Sequence, residues 1–276
     1  MKSVVHNCPS ATRSLAADRV CQSLRPALLA VLRALHDDDW DAVGLGSSDC
    51  YNDAVTADHK QGELTLLPCN HIVLCVGHSK KKWRGAKQLL ESNVTDPFDN
   101  MSECTGDAMQ ALSRRHGTDC QVFYSHSWDP FLVSFQRLAV ATGLGAMHKE
   151  SHMVLHRRFG PWMALRLALV FPCSPKPENG VQEVYCREDI EAFVRSVKTE
   201  HDELVVNDDL VKFDVQEGES RVAAEIVRLG LEDAESREVN VGMVFLKARK
   251  SFSTGKHFMY DDDQMQYHYG SLSDCE

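Results

Sequence analysis

The stretch of the chain richest in chemistry is Leu155–Pro172, LHRRFGPWMALRLALVFP. Arg157 and Arg158 precede Phe159, a Gly-Pro turn and Trp162, after which an apolar run is interrupted only by Arg166. A guanidinium presents a planar fork of donors suited to a carboxylate or a phosphate. A charge inside an apolar strand is costly unless it is paired or faces a site. The stretch reads either as the wall of a pocket for a ligand with anionic groups and a large apolar surface, or as a sheet face on which Arg166 is paired to a structural acid. The residues leave these two readings even.

Other candidates are weaker. His148, His152 and His156 recur at four-residue intervals, and paired histidines on one helix face can hold zinc. The zinc-protease pattern needs Glu directly after the first His, and Lys149 occupies that place. His156 falls on the next strand, so the spacing is read as structural and no metal site is expected. The run KKKWR at 80–84 is either a local anion or phosphate site or the solvated start of a helix. The DDD runs at 37–39 and 261–263 lack the Gly and distal Glu of a calcium loop and read as solvated loops. GLG occurs at 44–46 and 143–145, but Asp49 and His148 stand where a dinucleotide fingerprint needs its third small residue. The ten cysteines form no CxxC pair, which excludes the usual iron–sulfur and structural zinc patterns. Cys75 and Cys173 lie in apolar runs, where a free thiol acts as a small hydrophobe.

The elements that must position these residues follow from apolar spacing. Residues 14–36 predict a helix kinked or restarted at Pro26, 71–76 a buried strand, 98–117 a helix and 120–125 a strand. Residues 129–150 read as helix, with Asp129 as its cap and Pro130 at its first position. Residues 152–156 and 162–172 predict an antiparallel hairpin around RRFGP. Residues 187–200 read as a charged helix, 202–238 as an acidic solvated segment and 239–248 as a last strand. Helices alternating with strands, one hairpin among them, predict a layered α+β or α/β fold.

At 276 residues and 43% hydrophobic, the chain can bury a large core. No apolar run approaches the roughly 18–20 residues of a membrane helix. A net charge of −10 argues against nonspecific nucleic-acid binding. MKSVVHNCPSATRSL lacks the apolar core of a secretory signal. With unpaired thiols, this places the expectation in a reducing, cytoplasmic compartment. The domain reading is an N-terminal segment and first helix over 1–36, then one domain over 37–276 with an acidic insertion around 202–240.

LHRRFGPWMALR resembles the signature of the cobalamin type C trafficking family, IHPRFGGWFAIR, with His156, Arg158, Phe159, Gly160, Trp162, Ala164 and Arg166 matching. WDAVGLGSSDCYN at 40–52 is similar to that family's opening strand and its Tyr-Asn pair, here Tyr51 and Asn52. TDPFD at 95–99 is similar to its TDPxD, and Tyr260, Gln264 and Tyr267 follow its YSEEQxxY spacing. The resemblance covers roughly 35–190 and 245–269.

It implies an α+β flavin-reductase (nitroreductase-like) fold, a central mainly antiparallel sheet flanked by helices. It implies a chaperone and enzyme of vitamin B12 metabolism that binds cobalamin with its lower base off cobalt and removes the upper axial ligand. Removal proceeds by reductive decyanation with reduced FMN or FAD, or by alkyl transfer to glutathione, and the product passes to a downstream adaptor protein. A ligand-linked homodimer is implied too. Residue by residue, Arg158, with Arg187 and Arg249 more loosely, is implied in glutathione binding, and His156, Phe159, Gly160, Trp162 and Lys149 in cobalamin binding; no catalytic residue is assigned. The chain departs from the family where Val140 replaces a helix histidine near the corrin, Lys149 a glutamine, and HSK at 78–80 an STP. The competing readings are a non-catalytic cobalamin carrier or adaptor on the same fold, and a flavin-dependent reductase of another substrate with KKKWR at the flavin phosphate.

Overall fold

The computed structural model describes residues 10–57, 64–127, 132–149, 151–173, 185–205, 217–236 and 241–270. In chain order these form α1 (Ser10–Asp37), β1 (Ala42–Ser47), α2 (Ser48–Thr56), β2 (His71–His78), α3 (Trp83–Glu91), α4 (Pro97–Arg115) and β3 (Gln121–Tyr124). There follow α5 (Phe135–Ala141), β4 (Ala146–Met147), β5 (Val154–Leu155), β6 (Ala164–Pro172), α6 (Arg187–Glu200), α7 (Glu217–Ser236), α8 (Val241–Ser251) and α9 (Asp262–Tyr269). The result is an α+β fold. Its main sheet runs β1-β2-β6-β3, antiparallel throughout, and β4 pairs with β5 separately.

Strand β2 is apolar at nearly every position because both of its faces are covered. Successive side chains of a strand alternate faces. Ile72, Leu74 and Val76 join Leu167, Leu169 and Phe171 of β6 in a core shared with α1, α4 and α6. Val73 and Cys75 join Ala168 and Val170 in a second core with Tyr51 of α2 and Leu138 of α5. Such double burial yields a continuous apolar run instead of a polar-apolar alternation. Leu24, Leu28, Val31, Leu32 and Leu35 put α1 on the first core. Their burial keeps α1 one helix through Pro26, so the helix does not restart there.

The two GLG segments meet. A Cβ on Gly44 would lie 2.5 Å from Thr142 Oγ1 and 2.7 Å from Leu144 Cβ, and one on Gly46 would lie 2.8 Å from the Ala141 carbonyl. Glycine in β1 therefore lets the end of α5 rest on the strand backbone. Gly143, at φ +70°, ends that helix.

Four further expectations are corrected. The helix over 129–150 is only α5, with Ser134 at its N-cap position, and the left-handed Gly143 stops it; Asp129 and Pro130 lie outside the described residues. The hairpin of 152–156 with 162–172 is reduced to one bridge, His156 to Gly160, since β5 pairs with β4 and β6 with β2 and β3. Left-handed Gly160 turns the chain, and Pro161 has no N–H with which to extend the pairing. The last strand is α8, whose Met243 and Leu246 join one apolar cluster while Phe245 and Ala248 join another, and this mimics a strand's unbroken apolar run. Within the acidic segment, α7 is helical and packs Ala223 and Val227 against Ala248 and Phe252. Among the described residues, no helix is long and apolar enough to cross a membrane.

Candidate functional site

A β-bulge sets the site. Val76 pairs with Leu167 and Gly77 with Leu165, so Arg166 is the extra residue of β6. A bulge frees one residue from the ladder and re-aims its side chain. Arg166 uses that freedom twice. Its Nη1 lies 3.2 Å from Asp99 Oδ1 of α4, and its guanidinium sits 4.8 Å above the Phe98 ring. Asp99 in turn lies 3.1 Å from His126 Nδ1. Arg166 thus has a structural acid partner and also lines a cavity.

That cavity has a volume of about 680 Å³. One wall is Pro161 and Met163–Arg166; the others come from 132–136 at the start of α5, from 151–154, and from Phe245 and Arg249 of α8. Its surface is mostly apolar, with two guanidinium groups, the usual make-up of a site that binds a large organic ligand and orients it by a few charges. Tyr51 and Asn52 brace it from α2. The Tyr51 hydroxyl donates to the Thr65 carbonyl and accepts from the Ser134 N–H, each at 3.1 Å. Asn52 exchanges hydrogen bonds with both backbone groups of Leu67 at 2.8 and 2.9 Å.

Residues His156–Gly160 form a turn beside the cavity. His156 Nδ1 accepts the Arg158 and Phe159 N–H groups at 3.0 and 3.1 Å, while His156 and Gly160 exchange backbone hydrogen bonds at 2.8 and 2.7 Å. Burial, with the charge of Arg158 behind it, pushes the His156 pKa down to about 4. The ring is therefore a neutral acceptor, protonated at Nε2. Phe159 stacks on His156, and Trp162 packs edge-on against Tyr260 with centroids 5.5 Å apart.

The structure thus joins His156, Phe159, Gly160 and Trp162 in one turn. The three arginines stay apart. Exposed Arg158 lies over Phe159 and Phe258, at 5.5 and 5.1 Å, outside the cavity lining. Arg187 lies on α6, 2.7 Å from Glu191 and 2.5 Å from Asp53 of α2. Only Arg249 reaches the cavity. Lys149 is exposed after β4, and Val140 is exposed on α5.

The remaining candidates have structural work. Lys80 donates to the His257 carbonyl at 2.7 Å, Lys81 lies 3.7 Å from Asp41, and Lys82 lies 2.9 Å from Asp38 and over Trp40. Asp261 caps α9 by accepting the Gln264 N–H. His148 bonds Ser151 and Ser220 at 2.8 and 2.6 Å, tying β4 to α7. Among the described residues, no group of three His, Cys, Asp or Glu is placed to hold a metal ion. Cys75 and Cys173 are buried free thiols, and burial pushes Cys173 up to about 12.

The sequence pointed to Tyr260 and Gln264 through the family spacing but missed His268, which stands near them and Arg249. Gln264 and His268 share one face of α9, and Tyr260 lies four residues before Gln264. The ring of His268 stands 5.3 Å from Tyr260 and 5.2 Å from Phe98, and Arg249 lies 5.8 Å from the Tyr269 ring. Burial, then Arg166 and Arg249, push His268 down to about 3. The four-residue spacing in YDDDQMQYHY was the available signal.

No family profile matches the chain, and no curated protein matches it. Among solved structures, the crystal structure of a C. elegans B12-trafficking protein CblC, a human MMACHC homologue, aligns over 68% of this chain and 82% of that one. The TM-score is 0.39 and the identity 14%.

Proposed function

We propose that this chain binds cobalamin in the cavity behind β6 and processes it. The observation that carries the reading is that Pro161 and Met163–Arg166 of the signature-like segment form one wall of a cavity of about 680 Å³ whose lining combines apolar side chains with Arg166 and Arg249. Cobalamin suits such a lining: a broad corrin surface, a periphery of amides and one anionic phosphodiester. The pocket would hold a face and an edge of the macrocycle while fixing its orientation through few charges.

In the full reading, on a flavin-reductase (nitroreductase-like) fold, the lower base is displaced and the upper axial ligand is removed. Reduced FMN or FAD serves decyanation, glutathione serves dealkylation, and the product is handed to an adaptor in the cytoplasm. Axial ligation is the lever by which a protein tunes such a cofactor. Arg158, Arg187 and Arg249 are the assigned glutathione contacts, and a ligand-linked homodimer belongs to the same reading.

A second reading has its own support: a carrier that binds cobalamin without turning it over. The three assigned arginines stand in separate neighbourhoods, with Arg187 held by Asp53 and Glu191, so they form no single glutathione clamp in this conformation. The reading of KKKWR as a flavin-phosphate site gains no such support, since all three lysines are engaged within the fold.

A visible absorption titration of cyanocobalamin and methylcobalamin, before and after glutathione under anaerobic conditions, separates the readings. A blue shift supports binding with the lower base displaced. Subsequent formation of cob(I)alamin supports dealkylation; a shift without turnover supports the carrier. No shift with either corrinoid overturns the cobalamin reading.

A further inference from the structure

We propose that His152 is the axial ligand that the cavity offers to the metal of a bound macrocycle. The macrocycle and its cobalt come from the cobalamin reading, on which this assignment rests. The chemistry of the lining leaves one donor. Arg166 and Arg249 have no lone pair for a metal, because a guanidinium stays protonated. Met153 and Met163 are 8% and 4% exposed and are packed into apolar clusters. The serines and Gln136 offer hydroxyl and amide oxygens, which suit harder cations. His152 is the one lining residue whose side chain carries an imine-type nitrogen, a donor that transition metals favour.

The fold presents this ring and gives it nothing else to bind. Strands β4 and β5 form a hairpin, and the His148 N–H donates to the Met153 carbonyl at 2.8 Å, so His152 is the last residue of the turn. Its φ is +54°, in the left-handed region that glycine adopts most easily. Ser151 and Met153 on either side are buried, yet His152 between them is exposed. Among the described residues its ring makes no hydrogen bond, ion pair or ring contact. The turn that carries it is fastened on both sides. His148 bonds Ser151 and Ser220, and Met153 joins the cluster of Ala223 and Val227 on α7. An unfavourable backbone conformation held by its surroundings at the lip of a cavity marks a functional position.

One side chain is enough for such a metal. A bare ion needs several protein donors, and among the described residues no group of three His, Cys, Asp or Glu is placed to hold one. A corrin brings its own equatorial nitrogens, so a single imidazole completes an axial position. The ring nitrogen shares its lone pair with cobalt and displaces a water; no electron is transferred and no bond of the macrocycle breaks. Axial ligation sets the potential of such a metal, and an added nitrogen favours its higher oxidation states. An imidazole ligand therefore goes with the carrier reading.

The test uses cob(II)inamide, the corrin without its own lower base, mixed with the full chain in the absence of oxygen. Co-elution in gel filtration establishes binding, and electron paramagnetic resonance reads the axial position, where one nitrogen splits each cobalt line into a triplet. The expected result is a triplet in the wild type and a doublet when the protein carries nitrogen-15 histidine. His152→Ala should co-elute with the corrinoid and show neither. Cob(II)alamin is run in parallel, where a triplet reports its own base and a doublet reports the labelled histidine. Should His152→Ala fail to fold, His152→Gly carries the test, because glycine suits the left-handed turn. A bound corrinoid with no splitting from histidine, or a splitting that survives in the variant, overturns the axial role and leaves the cobalamin reading standing. No co-elution of either corrinoid with the wild type overturns both.

Discussion

Gly160 and Gly255 face each other backbone to backbone. Both are left-handed, at φ +56° and +78°. A Cβ on Gly160 would run into the Thr254 carbonyl, and one on Gly255 into the carbonyl of Phe159. The His156–Gly160 turn is thereby seated on the segment that leads from α8 to α9, which carries Phe258 and Tyr260. Gly160→Ala should therefore cost about 3 kcal/mol by urea denaturation, from left-handed strain plus overpacking. Gly117→Ala is the control: its φ is +79° but nothing lies within 4 Å of the added carbon, so its cost should be about 1 kcal/mol. Equal costs would show that the close approach contributes nothing.

Three buried histidines set an acid limit. His78 is fully buried, stacked 4.8 Å from Phe98. Burial, and then Arg166, lower its pKa to about 3; His268 falls to about 3 and His156 to about 4. Because folding depresses these values below the ordinary 6.5, the unfolded chain binds protons first as pH falls. Their contribution is intact above about 6.5 and is lost progressively as pH falls toward 4, with a slope of up to about 1.4 kcal/mol per pH unit for each group. Urea midpoints from pH 8 to 4.5 should show the decline, and His78→Phe should flatten it by one proton's worth. An unchanged slope in that variant would show that His78 is not one of the titrating groups.

Asp99 holds the bulged arginine in place. Asp99→Asn leaves the partly buried Arg166 without its counter-charge and should cost about 1–2 kcal/mol. Arg166→Met paired with Asp99→Asn should recover part of that loss, because both partners of the ion pair are then removed together. Stabilities of the two single variants and the double variant measure the coupling; additive losses would mean that the pair is independent of its geometry.

Arg158→Ala tests the enzymatic reading. The variant should keep corrinoid binding within about twofold, since Arg158 stands outside the cavity lining, and should lose most glutathione-dependent dealkylation if the assigned role is right. Single-turnover absorption changes with methylcobalamin and glutathione, alongside a binding titration, separate the two effects. Equal loss of both counts against the glutathione role.

Helix α7 stays on α8 through a missing side chain. A Cβ on Gly230 would lie 2.5 Å from both Val244 methyl groups, so the helices approach closely there. Gly230→Leu should force them apart and raise hydrogen exchange in α7 and α8 while leaving the β2–β6 ladder protected. Faster exchange in β2 as well would mean that α7 is part of the main cooperative unit.

What could be read in the sequence follows from how local each signal was. Helix α6 begins and ends where its apolar spacing does, and α4 starts at Pro97 under a capping Asp96. Strand β2 was legible because double burial leaves only apolar residues in it. Helix α8 was not, because contact with two clusters fills so much of its surface with apolar side chains that the helical period disappears. Arg166 carried a legible oddity, a charge in an apolar strand, but its explanation lay in a bulge opposite Gly77, and a ladder irregularity leaves no mark on one strand alone. The Tyr260, Gln264 and His268 face depends on where α9 docks, which is a tertiary fact.

The meeting of the two GLG segments bears on how a ligand gets in. Thr142 and Leu144 sit on the bare backbone of Gly44 and Gly46, leaving no side chain that could rearrange to let α5 slide along β1. The wall that α5 contributes is preorganised, so little ordering entropy is lost on that side when a guest docks. The opposite wall is different: Phe245 and Arg249 ride on α8, which joins α7 and α9 outside the main sheet. The cavity has one fixed jaw and one hung on peripheral helices, and any breathing that admits a bulky guest belongs to the second.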